Sequence, residues 1–60
     1  MFAFVTVHEM GYTTALVEDG SHMSEPHLDN REGATGKIFE SLIDRGVTEI
    51  QIRIDSYSPE

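Results

Sequence analysis

Residues 31–42, REGATGKIFESL, combine two glycines with a lysine where a helix is expected to begin. A Walker-type phosphate loop needs Gly-x-x-x-x-Gly-Lys-[Ser/Thr] after a strand, because its backbone N–H groups converge on phosphate oxygens. Arg31 occupies the first glycine position, Ile38 the hydroxyl position, and a polar segment precedes them, so the pattern predicts only a helix start. A weaker alternative is a small anion or nucleotide site formed by Gly33, Thr35, Gly36 and Lys37.

A second group of chemically capable side chains lies in the polar segment 19–29, which is predicted to be a long loop. These side chains have no recognised zinc spacing, so we expect solvated loop residues, no metal and no cofactor. The group consists of His22, Glu25, His27 and Asp29.

His8 is the remaining candidate for acid–base chemistry. Its neighbour Glu9 points to the opposite face of a strand, so the two are poor catalytic partners. Tyr12, or Tyr57 if the last strand ends alongside, could approach His8, and a structural cross-strand contact is the expected role. The sequence has no Gly-x-Ser-x-Gly elbow and no arguable pair of catalytic carboxylates, which favours a non-enzymatic protein.

The polar segment also contains the tetrapeptide GSHM at residues 20–23. This tetrapeptide matches the remnant that a cleavable purification tag leaves in front of a cloned protein, and here it is internal. It indicates an engineered junction, as in a circularly permuted or fused chain, and a natural Gly-Ser loop is the alternative. Both chain orders give the same sheet.

Composition sets further limits on the protein. Its 60 residues suffice for one small domain (1–60), and without cysteine neither disulfides nor thiolate zinc sites can stabilise it. Oligomerisation is the expected substitute. The formal charge of −7, from 4 basic and 11 acidic residues, repels nucleic-acid phosphates and anionic membranes. The apolar start MFAFVTV is too short to span a bilayer, so we expect a cytoplasmic protein.

The first third of the chain predicts a β-hairpin, with FAFVTVHE and YTTALVED joined by a turn at Met10 and Gly11. Apolar residues occur at both parities, so both sheet faces should be buried, whereas one helix covers only one face. The second face would need another copy of the chain or a closed barrel. One parity holds Phe2, Phe4 and Leu16, and the other holds Val5, Val7, Ala15 and Val17.

A helix and a last strand follow the polar segment. Asp29 and Glu32 have the spacing of a capping box, although Ser24 or Thr35 could cap a different start, and Gly46 is a typical C-terminal stop. In EIQIRID three isoleucines alternate with polar residues, and the isoleucine face is expected to meet the helix. The apolar stripe of the helix consists of Ala34, Ile38, Phe39, Leu42 and Ile43.

Together these elements predict a small α+β domain of ββαβ order. Its three-stranded, mostly antiparallel sheet has the order 2-1-3, with the helix on one face, and oligomerisation completes it. The favoured function is an acidic protein-interaction module that acts as a homodimer or higher oligomer. The alternative is an acidic nucleic-acid mimic that inhibits a basic nucleic-acid-binding protein. The expected interface anchors are Phe2, Phe4, Val5 and Val7.

Overall fold

Four strands and one helix make up residues 1–55, the part of the chain that this computed structural model describes. In chain order the elements are β1 (Phe2–His8), β2 (Tyr12–Val17), β3 (His22–Pro26), α1 (Arg31–Asp44) and β4 (Glu49–Asp55). The strands form one mixed sheet in the order β3-β2-β1-β4, which confirms the predicted α+β class.

The strand β3 lies inside the segment that was predicted to be a loop, so the three-stranded sheet was wrong. Its sequence HMSEP is polar and ends in proline, and neither feature is typical of a strand. It forms because β2 offers a second edge, against which β3 pairs in antiparallel register, with Met23 opposite Ala15. Pro26 is tolerated because it is the last residue of an edge strand.

The added strand also reverses the direction of the last one. With two strands before the helix, the final strand would run antiparallel to β1. With three, the strand that enters the helix is itself parallel to β1, and a helical crossover returns the chain parallel to the strand it left. Accordingly β4 pairs with β1 in parallel register, with Ile52 opposite Val5, so an antiparallel direction of the last strand beside the first is wrong, while the other two strand pairs are antiparallel.

Residues 20–23 form the turn between β2 and β3 and the start of β3. Gly20 has a φ of +92°, a conformation that favours glycine. The Asp19 carboxylate accepts hydrogen bonds from the Ser21 hydroxyl at 2.6 Å and from the Ser21 backbone N–H at 2.9 Å. These two bonds lower the pKa of the Asp19 carboxyl, because they favour its charged form. The GSHM tetrapeptide is thus part of a folded hairpin, and its origin as a junction stays a prediction.

The core lies between α1 and the sheet face formed by the odd-numbered residues of β1 and β2. This arrangement confirms the predicted helical stripe for three of its members, Ala34, Ile38 and Leu42, which are buried. The buried core cluster consists of Ala3, Val5, Ala15, Val17, Ile38, Leu42 and Val47.

The helix does not cover the whole of this face, because α1 packs against β2 and β3. In β4 only Ile50 packs against the core cluster. Ile52 and Ile54 remain 53% and 60% exposed. The expectation that the isoleucine face meets the helix is therefore wrong for these two residues.

Both ends of α1 are capped, and at the start the cap lies one residue beyond the predicted Asp29. The side chain of Asn30 accepts a hydrogen bond from the Gly33 N–H at 2.9 Å. At the end, Gly46 has a φ of +89° and donates to the Ile43 carbonyl, as the predicted C-terminal stop requires. The next N–H, of Val47, donates to the Leu42 carbonyl at 3.0 Å, which completes a Schellman motif.

Gly36→Ala is expected to stabilise the protein by about 0.5–1 kcal/mol, because alanine loses less backbone entropy inside a helix. An added Cβ at Gly36 meets no atom within 4 Å. Gly33→Ala is the matched control, since its Cβ would lie 2.5 Å from Asn30 Nδ2 and displace the cap. Urea unfolding should show a gain for Gly36→Ala alone; equal gains would contradict the capping role of Asn30.

Candidate functional site

The sheet face opposite α1 has no covering element within residues 1–55, and we call it the open face. Strand periodicity builds it, because alternate residues of each strand point to the same side. It presents Phe2, Phe4, Thr6 and His8 of β1, Tyr12, Thr14 and Leu16 of β2, His22, Ser24 and Pro26 of β3, and Glu49, Gln51, Arg53 and Asp55 of β4.

Large apolar side chains lie at the centre of the open face. Phe4 stands directly opposite Leu16, and the two side chains are 48% and 56% exposed. The ring of Phe2 meets that of Phe4 edge-on, with 4.9 Å between the ring centroids. A groove of about 400 Å³ is lined by Phe4, Thr6, His8, Thr14, Leu16 and Arg53.

The four expected interface anchors divide between the two sides of the sheet. Phe2 and Phe4 lie on the open face, as the parity of the hairpin predicted. Val5 and Val7 lie beneath α1 and are 0% and 6% exposed. The structure therefore brings only the two phenylalanines to a surface that a partner can reach.

Formal charge is concentrated away from most of the open face. Strands β1, β2 and β3 contribute no Asp, Glu, Lys or Arg to it, since the only such residue in these strands, Glu25, shares the α1 side with Met23. Charges occur along its β4 margin, where Glu49 and Asp55 flank Arg53, and at the end of the hairpin, where Glu18 Oε1 accepts from the Phe2 backbone N–H at 3.0 Å. A chain of net charge −7 thus presents one broad surface that is almost free of charge.

His8 bridges three strands at one end of the open face. Its Nδ1 lies 3.2 Å from Asp55 Oδ2, and its Nε2 lies 3.0 Å from Thr14 Oγ1. The tautomer protonated at Nδ1 satisfies both contacts, because it donates to Asp55 and accepts from the Thr14 hydroxyl. The imidazole stacks on the predicted neighbour Tyr12 with 4.2 Å between ring centroids. The other predicted neighbour, Tyr57, lies outside the described residues.

Thr14, His8 and Asp55 contact one another in the order found in catalytic triads, where a hydroxyl nucleophile binds a base and a carboxylate orients that base. Acyl transfer also needs N–H donors aimed at the developing oxyanion. Thr14 lies in a strand that is paired on both edges, so the surrounding backbone N–H groups are engaged in the sheet. We therefore interpret the cluster as a structural link between β1, β2 and β4.

The start of α1, where an anion site was predicted, is occupied by the protein's own groups. The Asn30 side chain accepts a hydrogen bond from the Gly33 N–H. Gly36 is the sixth helical residue, so its N–H points to a carbonyl four residues earlier and is not free for an anion. Lys37 Nζ lies 3.7 Å from Glu25 Oε1. The residues that line the adjoining groove of about 340 Å³ include two acidic residues, Glu25 and Asp29, and one basic residue, Lys37. An anion there would meet more negative than positive charge, and the site stays a prediction.

The metal-capable residues of segment 19–29 do not converge. His22 lies on the open face and Glu25 on the α1 side of the same strand, because β3 alternates its side chains. His27 is buried. Within residues 1–55 no three His, Cys, Asp or Glu side chains lie close enough together to hold a metal ion.

A buried polar network around Thr13 was not predicted from the sequence. Thr13 Oγ1 lies 2.6 Å from His27 Nε2 and 3.3 Å from Thr35 Oγ1, so the network joins β2 to both the loop before α1 and α1 itself. The His27 backbone N–H also donates to the Gly11 carbonyl at 2.7 Å. The one available signal was a threonine at a core parity of β2, where an apolar residue is the norm. Thr35, a candidate anion ligand, therefore has a structural contact.

The acidic residues outside the open face do not form an uninterrupted line. Glu32, Glu40 and Asp44 lie on α1, and Arg31 and Lys37 lie among them. Such mixing of charges is typical of a solvated helix surface and weakens an imitation of evenly spaced phosphates. The nucleic-acid mimic stays a prediction, and Glu60 lies outside the described residues.

Small α+β proteins with one helix across a four-stranded sheet are diverse, so this architecture does not define an activity. Comparisons with protein-family models, with curated proteins and with solved structures found no match. No helix in the described part of the chain is long and apolar enough to cross a membrane.

Proposed function

We propose that this protein is a non-enzymatic, acidic protein-interaction module that acts in the cytoplasm as a homo-oligomer through its open face. The observation that carries the proposal is the coincidence of exposed aromatic and aliphatic side chains with an almost uncharged surface. Phe4 and Leu16 are half exposed at its centre, and strands β1, β2 and β3 contribute no formal charge to it. Exposed apolar patches with polar rims are typical of protein-binding sites.

A second copy of the chain is the occupant that fits this face. Two chains of charge −7 repel each other, and the repulsion is smallest where the two surfaces carry few formal charges. A twofold interface brings the same patch together from both copies, so Phe4 and Leu16 would pack against an equally apolar surface. The arrangement would also supply the second layer that a single helix cannot provide.

Phe4→Asp is expected to lower the molar mass in solution by at least half while the chain stays folded, because two carboxylates would meet in the apolar centre of the interface. Leu28→Asp is the matched control. Leu28 is 89% exposed, and its φ of +50° is one that aspartate tolerates.

Light scattering over a dilution series measures the mass, and circular dichroism reports the helix at each step. The proposal requires the wild type and Leu28→Asp to share an oligomeric mass that Phe4→Asp loses. A wild type that is monomeric at every concentration, or a folded Phe4→Asp variant of unchanged mass, would contradict it.

A further inference from the structure

We propose that the free edge of β4 is a second self-association site, at which another copy of this chain adds its own β4 in antiparallel register centred on Gln51. This surface consists of the outer edge of the sheet together with the isoleucines on the α1 side, and it meets the open face along the β4 margin, where Glu49, Gln51 and Arg53 lie. Pairing of the two edges would join the sheets of both copies into one continuous sheet.

The edge is unprotected in two respects. Within residues 1–55, β4 pairs only with β1, so its outer row of N–H and C=O groups has no strand partner. Ile52 and Ile54, on the α1 side of this strand, are 53% and 60% exposed because α1 packs over β2 and β3. Long, exposed apolar edge strands are templates for pairing with another chain.

The charge pattern of β4 indicates that the strand added at this edge is the β4 of a second copy. It also favours one register between the two strands. In an antiparallel pair, directly opposed residues point to the same face of the sheet. When a twofold axis relates the two strands, this condition requires one residue to stand opposite its own copy, with the axis between the two. With Gln51 on the axis, Glu49 of each copy stands opposite Arg53 of the other, which makes two favourable cross-strand pairs. On the α1 side, Ile50 stands opposite Ile52 of the other copy, and this occurs twice.

The registers centred on the later residues Ile52, Arg53 and Ile54 are less favourable. An axis at Ile52 places Glu49 opposite Asp55 of the other copy, and an axis at Arg53 places two guanidinium groups opposite each other. Like charges directly opposed destabilise a strand pair. An axis at Ile54 pairs Arg53 with Asp55, but Asp55 is already bonded to His8 at 3.2 Å, and only residues 53–55 of the strand would be paired.

A charge-swap series tests the register of this edge, because only the register centred on Gln51 places Glu49 of one copy directly opposite Arg53 of the other. Glu49→Arg and Arg53→Glu each place like charges opposite one another, whereas the double variant restores both pairs in reversed order. Each single variant is expected to have about half the molar mass of the wild type with an unchanged circular dichroism spectrum, and the double variant is expected to regain the mass. Loss of mass without recovery, or no loss at all, would overturn the register.

Gln51→Cys gives a direct readout of the same axis, because the chain has no cysteine of its own. Cα atoms of directly opposed antiparallel residues lie within disulfide reach, so mild oxidation should yield a covalent dimer. Ser24→Cys, on the edge strand at the other side of the sheet, is the matched control and should stay uncrosslinked. Equal crosslinking of both variants, or of neither, would overturn the proposal, while loss of mass in Phe4→Asp alone would still support the open face.

Discussion

Val5→Asp is expected to abolish folding, whereas Phe4→Asp, one residue earlier on the same strand, should leave the chain folded. The Val5 side chain is 0% exposed and lies in the core cluster beneath α1. An unpaired carboxylate at such a position costs several kcal/mol, which is comparable to the whole stability of about 5 kcal/mol expected for a domain of this size. Phe4 is 48% exposed on the other face, so an aspartate there stays hydrated in the monomer.

Far-UV circular dichroism and thermal melting distinguish the two variants. The Val5→Asp spectrum should lack helix at all temperatures, while the Phe4→Asp chain should melt cooperatively. If Val5→Asp melted as the wild type does, the assignment of odd-numbered β1 residues to the core would be wrong. The two variants also distinguish expected anchors that stabilise the fold, such as Val5, from those that a partner can contact, such as Phe4.

Leu42→Ala is the second change with a large expected effect, a loss of about 2–5 kcal/mol in the free energy of unfolding. Leu42 is 0% exposed, and its side chain joins α1 to the core cluster at the point where Val47 follows the helix. A small domain has little core to compensate for the cavity, so the variant should be largely unfolded near 37 °C.

Ile43→Ala is the control for this change, because the next residue along the helix is 66% exposed. Its effect should stay within about 0.5 kcal/mol, as is usual for surface substitutions. Urea denaturation measures both variants against the wild type. Similar losses for the two would mean that α1 is rotated about its axis relative to the arrangement described.

Part of the open face could be predicted from the sequence and part could not. Period-two alternation in β1 and β2 was enough to place Phe2, Phe4 and Leu16 on one side and Val5 and Val7 on the other. The same pattern could not state which side α1 covers, because both parities are apolar. The position of the helix over β2 and β3 decided this, and it left two of the predicted anchors in the core.

The contact between His8 and Asp55 could not be predicted from the sequence, because the two residues lie far apart in the chain. The two residues are 47 positions apart, and only the parallel register of β4 places them side by side. An antiparallel β4 would have placed the opposite end of that strand near His8. The direction of β4 depended in turn on β3, a strand whose polar sequence carries no periodic signal.

The sequence by itself determined the elements that local periodicity and local conformation encode: the first hairpin, the body of α1, its stop at Gly46 and the alternation of β4. Patterns that repeat every two to four residues, together with glycines at turns, are enough to indicate these features. Only the tertiary structure decided that HMSEP forms a strand, that β4 runs parallel to β1 and that Ile52 and Ile54 stay uncovered. These outcomes follow from pairings between distant segments, whose free energy depends on edges and layers that exist only once the rest of the chain has folded.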